Sequence, residues 1–176
     1  MKKLHSCLFL LFIVIFFISC EKNASSDKPL TLSGQLIKNS ACKSNLKSTY
    51  LNDAIPDSLS CIEYSFDAEK NKLTIKHINA GFNCCPDSIY CKIDLNNDTI
   101  FIKEFEKMFL CDCNCLYDLD INIDGVENKK YQLKFEEPYA LDQNKFIFNI
   151  DLQKNPNGTY CVTRKQYPWG MNSLNN

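Results

Sequence analysis

Two short stretches, "NCCPDSIYC" at 83–91 and "LCDCNCLYDL" at 110–119, together hold six cysteines, and any fold of this chain must find a place for those sulfurs. Vicinal Cys84 and Cys85 are badly placed to bond each other. So are the alternate Cys111, Cys113 and Cys115, because disulfides join Cα atoms usually about 4.4–6.8 Å apart with converging side chains. The economical arrangement pairs members of the trio Cys84, Cys85 and Cys91 with members of the trio Cys111, Cys113 and Cys115. Each such bond closes a loop of roughly 20–30 residues and contributes about 3 kcal/mol through lost freedom of the unfolded chain. Cys42, Cys61 and Cys161 complete a set of nine disulfide candidates, an odd number, so one thiol is left over. Of those last three, two can pair.

The remainder of the chain alternates apolar and polar residues with the period of a β-strand. Leu30, Leu32 and Leu36 share one parity, and Ile62, Tyr64 and Phe66 lead through a turn to Leu73 and Ile75. Ile89, Cys91, Ile93 and Leu95 oppose Tyr90, Lys92 and Asp94. After an Asn96-Asn97-Asp98 turn, residues 99–105 return as a strand with apolar groups on both faces, so its buried side stays open. Tyr131, Leu133 and Phe135 form another row, and Phe146, Phe148, Ile150 and Leu152 a further one. Short strands with turn signals roughly every ten to fifteen residues predict an all-β fold, an antiparallel β-sandwich. It is expected as one disulfide-stapled domain over residues 30–176, with residues 40–59 as a long loop. Tyr131, following Ile121, Ile123 and Val126, resembles the tyrosine corner of immunoglobulin and fibronectin type III domains and implies an arrangement of that kind.

Parity also bears on the cysteines. Between Phe109 and Ile123 the odd positions are Phe, three Cys, Tyr, Leu and two Ile, while the even ones are mostly Asp and Asn. Alternate side chains share a strand face, so Cys111, Cys113 and Cys115 are predicted on the core face. Such a long run predicts a bulge or bend near Asp112–Asn114.

The amino-terminal segment follows other rules. Lys2 and Lys3 precede an uninterrupted apolar run, Cys7–Ile18, which is too short to span a bilayer core of about 30 Å but suits a signal peptide. It ends in Phe17-Ile18-Ser19-Cys20, which resembles a bacterial lipobox. That resemblance implies a signal peptide over 1–19 and lipidation of Cys20 by a diacylglyceryl group and usually a third, palmitate-like chain on its amine. Each buried methylene contributes about 0.8 kcal/mol, so two or three chains anchor essentially permanently. Residues 20–29 then form the lipidated cysteine and a polar tether spanning very roughly 17 Å. The expected location is the bacterial cell envelope, on either face of the outer membrane.

Removing Lys2 and Lys3 with the leader leaves 18 basic against 21 acidic residues, a formal charge of −3. The signs are interleaved and Arg164 is the only arginine, so no basic patch addresses nucleic acid. The membrane is the expected partner, and a protein or glycan partner is not readable.

The rival to disulfides is a metal site. Soft Cu(I) or Zn(II) suits thiolate ligands, and Cys84, Cys85, Cys91, Cys111, Cys113 and Cys115 would supply them. However, there is no C-x2-C step, and His77 is the only histidine beyond the leader. Redox catalysis normally needs C-x-x-C at a helix start, and neither is present. No cofactor is expected, and no catalytic residue stands out.

Asp120-Ile121-Asn122-Ile123-Asp124-Gly125 matches the start of an EF-hand loop, but its twelfth position is Tyr131 rather than Glu. A strand with an acidic outer face ending in an Asp-Gly turn is the expectation. His77 continues the row of Leu73 and Ile75 and is predicted to be a structural, hydrogen-bonded histidine. Trp169, with Tyr167 and Pro168, is expected to dock the C-terminal tail. The chain is therefore read as a non-enzymatic binding or structural module.

The lipobox, "GFNCCPD", "CDCNCLYDL" and the terminal "YPWG" together resemble small, cysteine-rich lipoproteins of Bacteroides-type bacteria. The resemblance implies no activity. Asp57-Ser58-Leu59, Asp87-Ser88-Ile89 and Asp98-Thr99-Ile100 also resemble the O-glycosylation acceptor of that group. Turn residues ahead of strands explain them equally well.

Overall fold

The computed structural model describes residues 31–43, 55–108 and 111–165. The leader, Cys20, the tether and the tail with Tyr167, Pro168 and Trp169 lie outside the described residues.

The described residues form nine strands: β1 (Ser33–Asn39), β2 (Leu59–Asp67), β3 (Lys72–Asn83), β4 (Pro86–Asn96), β5 (Thr99–Met108), β6 (Asn114–Asp124), β7 (Lys130–Glu136), β8 (Ile147–Asp151) and β9 (Asn157–Thr163). They make two sheets, ordered β1-β6-β3-β2-β9 and β4-β5-β7-β8. The fold is all-β, as the alternation predicts, with one departure from a purely antiparallel arrangement. β5 and β7 pair in parallel, Ile100 opposite Leu133 and Ile102 opposite Phe135, so the smaller sheet is mixed.

Local chemistry sets the hairpins. Asn71 (φ 51°) and Asn97 (φ 52°) occupy the left-handed region in the β2–β3 and β4–β5 turns, where Asn is far better tolerated than other residues with a Cβ. Asp67 Oδ1 accepts the backbone N–H groups of Glu69 and Lys70, both at 3.1 Å, and closes the first of these turns. Gly125 (φ 78°) ends β6, and a Cβ there would sit 2.6 Å from the Thr31 carbonyl oxygen. The EF-hand-like stretch is therefore strand and turn. Asp120 lies opposite Lys38 on one side and Lys76 on the other, cross-strand pairs of opposite charge that favour the sheet.

Between the sheets lies the main core, including Ile62, Leu73, Ile75, Ile100, Ile102, Ile121, Ile123, Leu133, Phe135 and Phe146. The buried side of β5, open in the sequence, is that of Ile100 and Ile102. Tyr131 is buried, and its hydroxyl accepts the backbone N–H of Glu127 at 3.1 Å, the contact a tyrosine corner makes.

A second cluster (Ala80, Phe82, Ile89, Cys115, Tyr117 and Leu119) extends beyond one end of the first. A bulge joins the two. The β3–β6 register shifts between His77 and Ala80, and Asn79 at the bulge has φ 60°. Its amide Nδ2 donates to the carbonyls of Leu59 (2.8 Å) and Pro56 (3.2 Å), while Lys43 Nζ donates to its Oδ1 at 2.9 Å. Bulges bend a strand and re-aim its side chains. Here the bend carries the ends of β3 and β6 past the main core to a corner that carries four cysteines.

Candidate functional site

The interior holds a polar cluster that five chain segments build. Ser60 comes from β2, His77 from β3 and Glu104 from β5, whereas Glu137 follows β7 and Arg164 follows β9. His77 Nδ1 lies 2.7 Å from Glu104 Oε1, and Nε2 lies 2.9 Å from Ser60 Oγ and 3.7 Å from Glu137 Oε1. Arg164 Nη2 pairs with Glu137 Oε1 at 2.5 Å, and Nη1 donates to the Asn144 carbonyl at 2.8 Å. Phe146 lies edge-on to His77 and beneath the Arg164 guanidinium, 5.2 Å away in each case.

The order Ser60–His77–Glu104 matches a nucleophile, base and orienting acid in hydrogen-bond reach. Its surroundings give it another role. Ser60 and His77 are 0 % exposed and Glu104 is 2 % exposed, and Ser60 Oγ also donates to the Ile78 carbonyl at 3.3 Å. As positioned, the hydroxyl meets protein on every side.

Charge balance explains the set. Arg164 and Glu137 cancel, and His77 and Glu104 are neutral together when they share one proton. Burial alone pulls the His77 pKa down, but the charge of Glu104, its hydrogen bond and the charge of Glu137 outweigh this and set it above its ordinary value. Burial also pushes the Glu104 carboxyl up, against the pull of His77. Both shifts are upward, so the folded state holds a proton that the unfolded chain releases. This contribution is fully present below the unfolded histidine value of about 6.5 and is lost as pH rises through the folded value. Unfolding free energy is thus expected to fall with rising pH above about 6.5, at up to about 1.4 kcal/mol per unit. Urea midpoints measured across that range check it. A flat profile, or one unchanged in H77Q, contradicts it.

The cysteine corner is the second grouping. Cys84 bonds Cys113 and Cys85 bonds Cys111, with Cα separations of 5.5 and 6.1 Å. Cys42 bonds Cys115 and Cys61 bonds Cys161. Cross-trio pairing thus holds for two bonds, Cys61–Cys161 is the expected pair within the remaining three, and Cys42–Cys115 is the bond that departs from the expectation. Cys91, expected to pair across the trios, is the free thiol. It faces the main core at mid-strand, opposite Glu104 in the β4–β5 ladder, whereas the corner lies at the end of β3. Cys115 is taken instead by Cys42.

The expected core-facing row also ends early. Cys115 is buried, but Cys111 and Cys113 are exposed, because β6 begins only at Asn114 and alternation has no meaning before it. The chain does bend at Asp112, as the length of the run predicts.

Burial raises the Cys91 thiol to about 11, with the Glu104 charge acting in the same direction, so thiolate is scarce at neutral pH. The six cysteines weighed as metal ligands do not gather as one set. The sulfurs of Cys84, Cys85 and Cys111 lie within 4.8 Å of one another, with Cys113 bonded to Cys84.

A surface cleft of about 580 Å³ lies where β5, β7 and β8 meet, lined by residues that include Asp98, Thr99, Lys130, Gln132, Asn149 and Asp151. The four disulfides point to an oxidising, non-cytoplasmic location. Among the described residues no helix is long and apolar enough to cross a membrane. Comparison with protein-family models, curated proteins and solved structures found no match to this chain.

Sequence reading identified His77 but missed Ser60, Glu104, Glu137 and Arg164 around it. Two signals were present: Glu104 follows Ile100 and Ile102 in parity, and Arg164 is the lone arginine. Neither says which partner it meets.

Proposed function

We propose that this protein is a membrane-anchored, disulfide-stapled module of the bacterial cell envelope that works by binding or by holding structure rather than by catalysis. One observation carries this reading: among the described residues, the groups with reactive chemistry are committed to the fold. Eight of the nine cysteines from Cys42 onward are bonded in pairs. The ninth, Cys91, is held as a thiol, and His77 is sealed in an ion network. The apolar leader and Cys20 supply the anchor, two or three acyl chains inserted in the outer membrane. The cleft lined by Thr99, Tyr131, Gln132, Asn149 and Ile150 together with the charged Asp98, Lys130 and Asp151 is the candidate place for a small ligand that offers both apolar and polar groups.

Two measurements test this. Membrane-extracted protein, denatured without reduction, is expected to show one titratable thiol from the folded domain, mapped to Cys91. Six or more thiols would overturn the stapled module. Cys20→Ser is expected to move the protein from the membrane to the soluble fraction, and unchanged membrane retention would overturn the anchor.

A further inference from the structure

We infer that the corner formed by Cys84, Cys85, Cys111 and Cys113 is a reduction-gated metal site: two parallel disulfides when oxidised, a tetrathiolate for a soft cation such as Zn(II) when reduced.

Three observations support it. First, the Cys84, Cys85 and Cys111 sulfurs lie within 4.8 Å of one another, and Cys113 is bonded to the first of them. Tetrahedral zinc with Zn–S bonds near 2.3 Å needs sulfurs about 3.8 Å apart. Reaching that spacing requires side-chain rotation after the bonds open rather than movement of the backbone.

Second, the backbone carrying these sulfurs is held by contacts that survive reduction. Cys84 N donates to the Cys113 carbonyl at 3.1 Å. Asn83 Nδ2 donates to the Cys111 carbonyl at 2.7 Å, and Cys85 N donates to Asn83 Oδ1 at 3.0 Å. Asn83 is itself fixed, because its N–H donates to Glu106 Oε2 at 2.7 Å and its carbonyl accepts the Tyr117 hydroxyl at 3.0 Å. A site whose ligands stay in place without its covalent bonds is pre-organised for another use of the same atoms.

Third, the corner is accessible. Cys111 and Cys113 are exposed and Cys84 and Cys85 half-buried, whereas Cys115 and Cys61 anchor the other two bonds in the interior. A dithiol reductant can therefore reach both of these bonds from solvent.

The chemistry balances. Each disulfide takes two electrons and two protons from one dithiol, which leaves as its own disulfide; two dithiols thus free four cysteine thiols. Zn(II) then displaces four protons and forms four Zn–S bonds. Exchange with two molecules of an oxidised dithiol, each taking two electrons and two protons and leaving as the dithiol, re-forms both cysteine bonds and releases the ion, so occupancy reports the local thiol–disulfide balance.

The test uses the full chain, treated anaerobically with graded dithiothreitol until four thiols beyond Cys91 appear, then desalted and mixed with Zn(II) against a chromophoric chelator. One zinc per chain is expected, with Cys84, Cys85, Cys111 and Cys113 protected from alkylation in the peptide map. The oxidised protein is expected to retain none. C84S/C113S, which can still form the Cys85–Cys111 bond, is expected to retain no zinc against the chelator after the same treatment, because two of the four thiolate ligands are gone. Failure of the reduced protein to retain zinc, protection of other cysteines, or undiminished binding by C84S/C113S each overturns the assignment. If that variant does not fold, the protection map of the unsubstituted chain decides alone.

Discussion

Replacing Arg164 by leucine is expected to cost about 3–5 kcal/mol of folding stability, the range seen when one partner of a buried ion pair is removed. The guanidinium holds Glu137 at 2.5 Å, and both side chains are nearly closed to solvent, at 0 % and 3 % exposure. Without Arg164, Glu137 keeps a charge in low dielectric beside Glu104, and the Asn144 carbonyl loses its donor. The paired variant R164L/E137L is expected to lose much less, because it removes both charges and leaves an apolar contact on Phe146. Urea denaturation of the two variants measures the difference. A single variant within about 1 kcal/mol of the parent, or a double variant as damaged as the single, would show that the network carries no such load.

The second large effect is expected at Cys61–Cys161. These residues face each other directly across β2 and β9, with Cα atoms 4.0 Å apart, yet stand 100 residues apart in sequence. A loop of that length is worth about 4.7 kcal/mol in the chain-entropy relation. The 26-residue separation of Cys85–Cys111 is worth roughly 3.5 kcal/mol. C61A/C161A is accordingly expected to lose more stability than C85A/C111A, with β9 the first strand to give up protection in hydrogen exchange. That strand pairs only with β2 and forms the edge of its sheet. The reverse ranking would mean that the corner, rather than the long loop, carries the covalent stabilisation.

Much of this architecture is legible in the chain before any folding. Ile89, Cys91 and Ile93 alternate with Tyr90, Lys92 and Asp94 because a pleated strand sends neighbours to opposite faces, and the structure buries the first row more than the second. The turns at Asn71 and Asn97 follow from the tolerance of asparagine for positive φ. Alternation failed at Cys111 and Cys113 for a physical reason: it holds only along a strand, and nothing local marks Asn114 as the place where β6 starts. It was silent on 99–105, where both faces are apolar, until packing of the two sheets around the main core chose the face of Ile100 and Ile102.

The amino-acid sequence by itself determined the strands, their turns and the supply of sulfur, because these depend on residues within one or two positions of each other. Only the tertiary structure decided which sulfurs meet, that Cys91 is left over, and that Glu104, Glu137 and Arg164 converge on His77. Those outcomes depend on contacts between residues 26 to 100 positions apart for the disulfides, and long-range pairing is set by sheet order rather than by local pattern. The bulge at Asn79 belongs to the same class. It turns two ordinary strand ends into the corner that gathers Cys84, Cys85, Cys111 and Cys113.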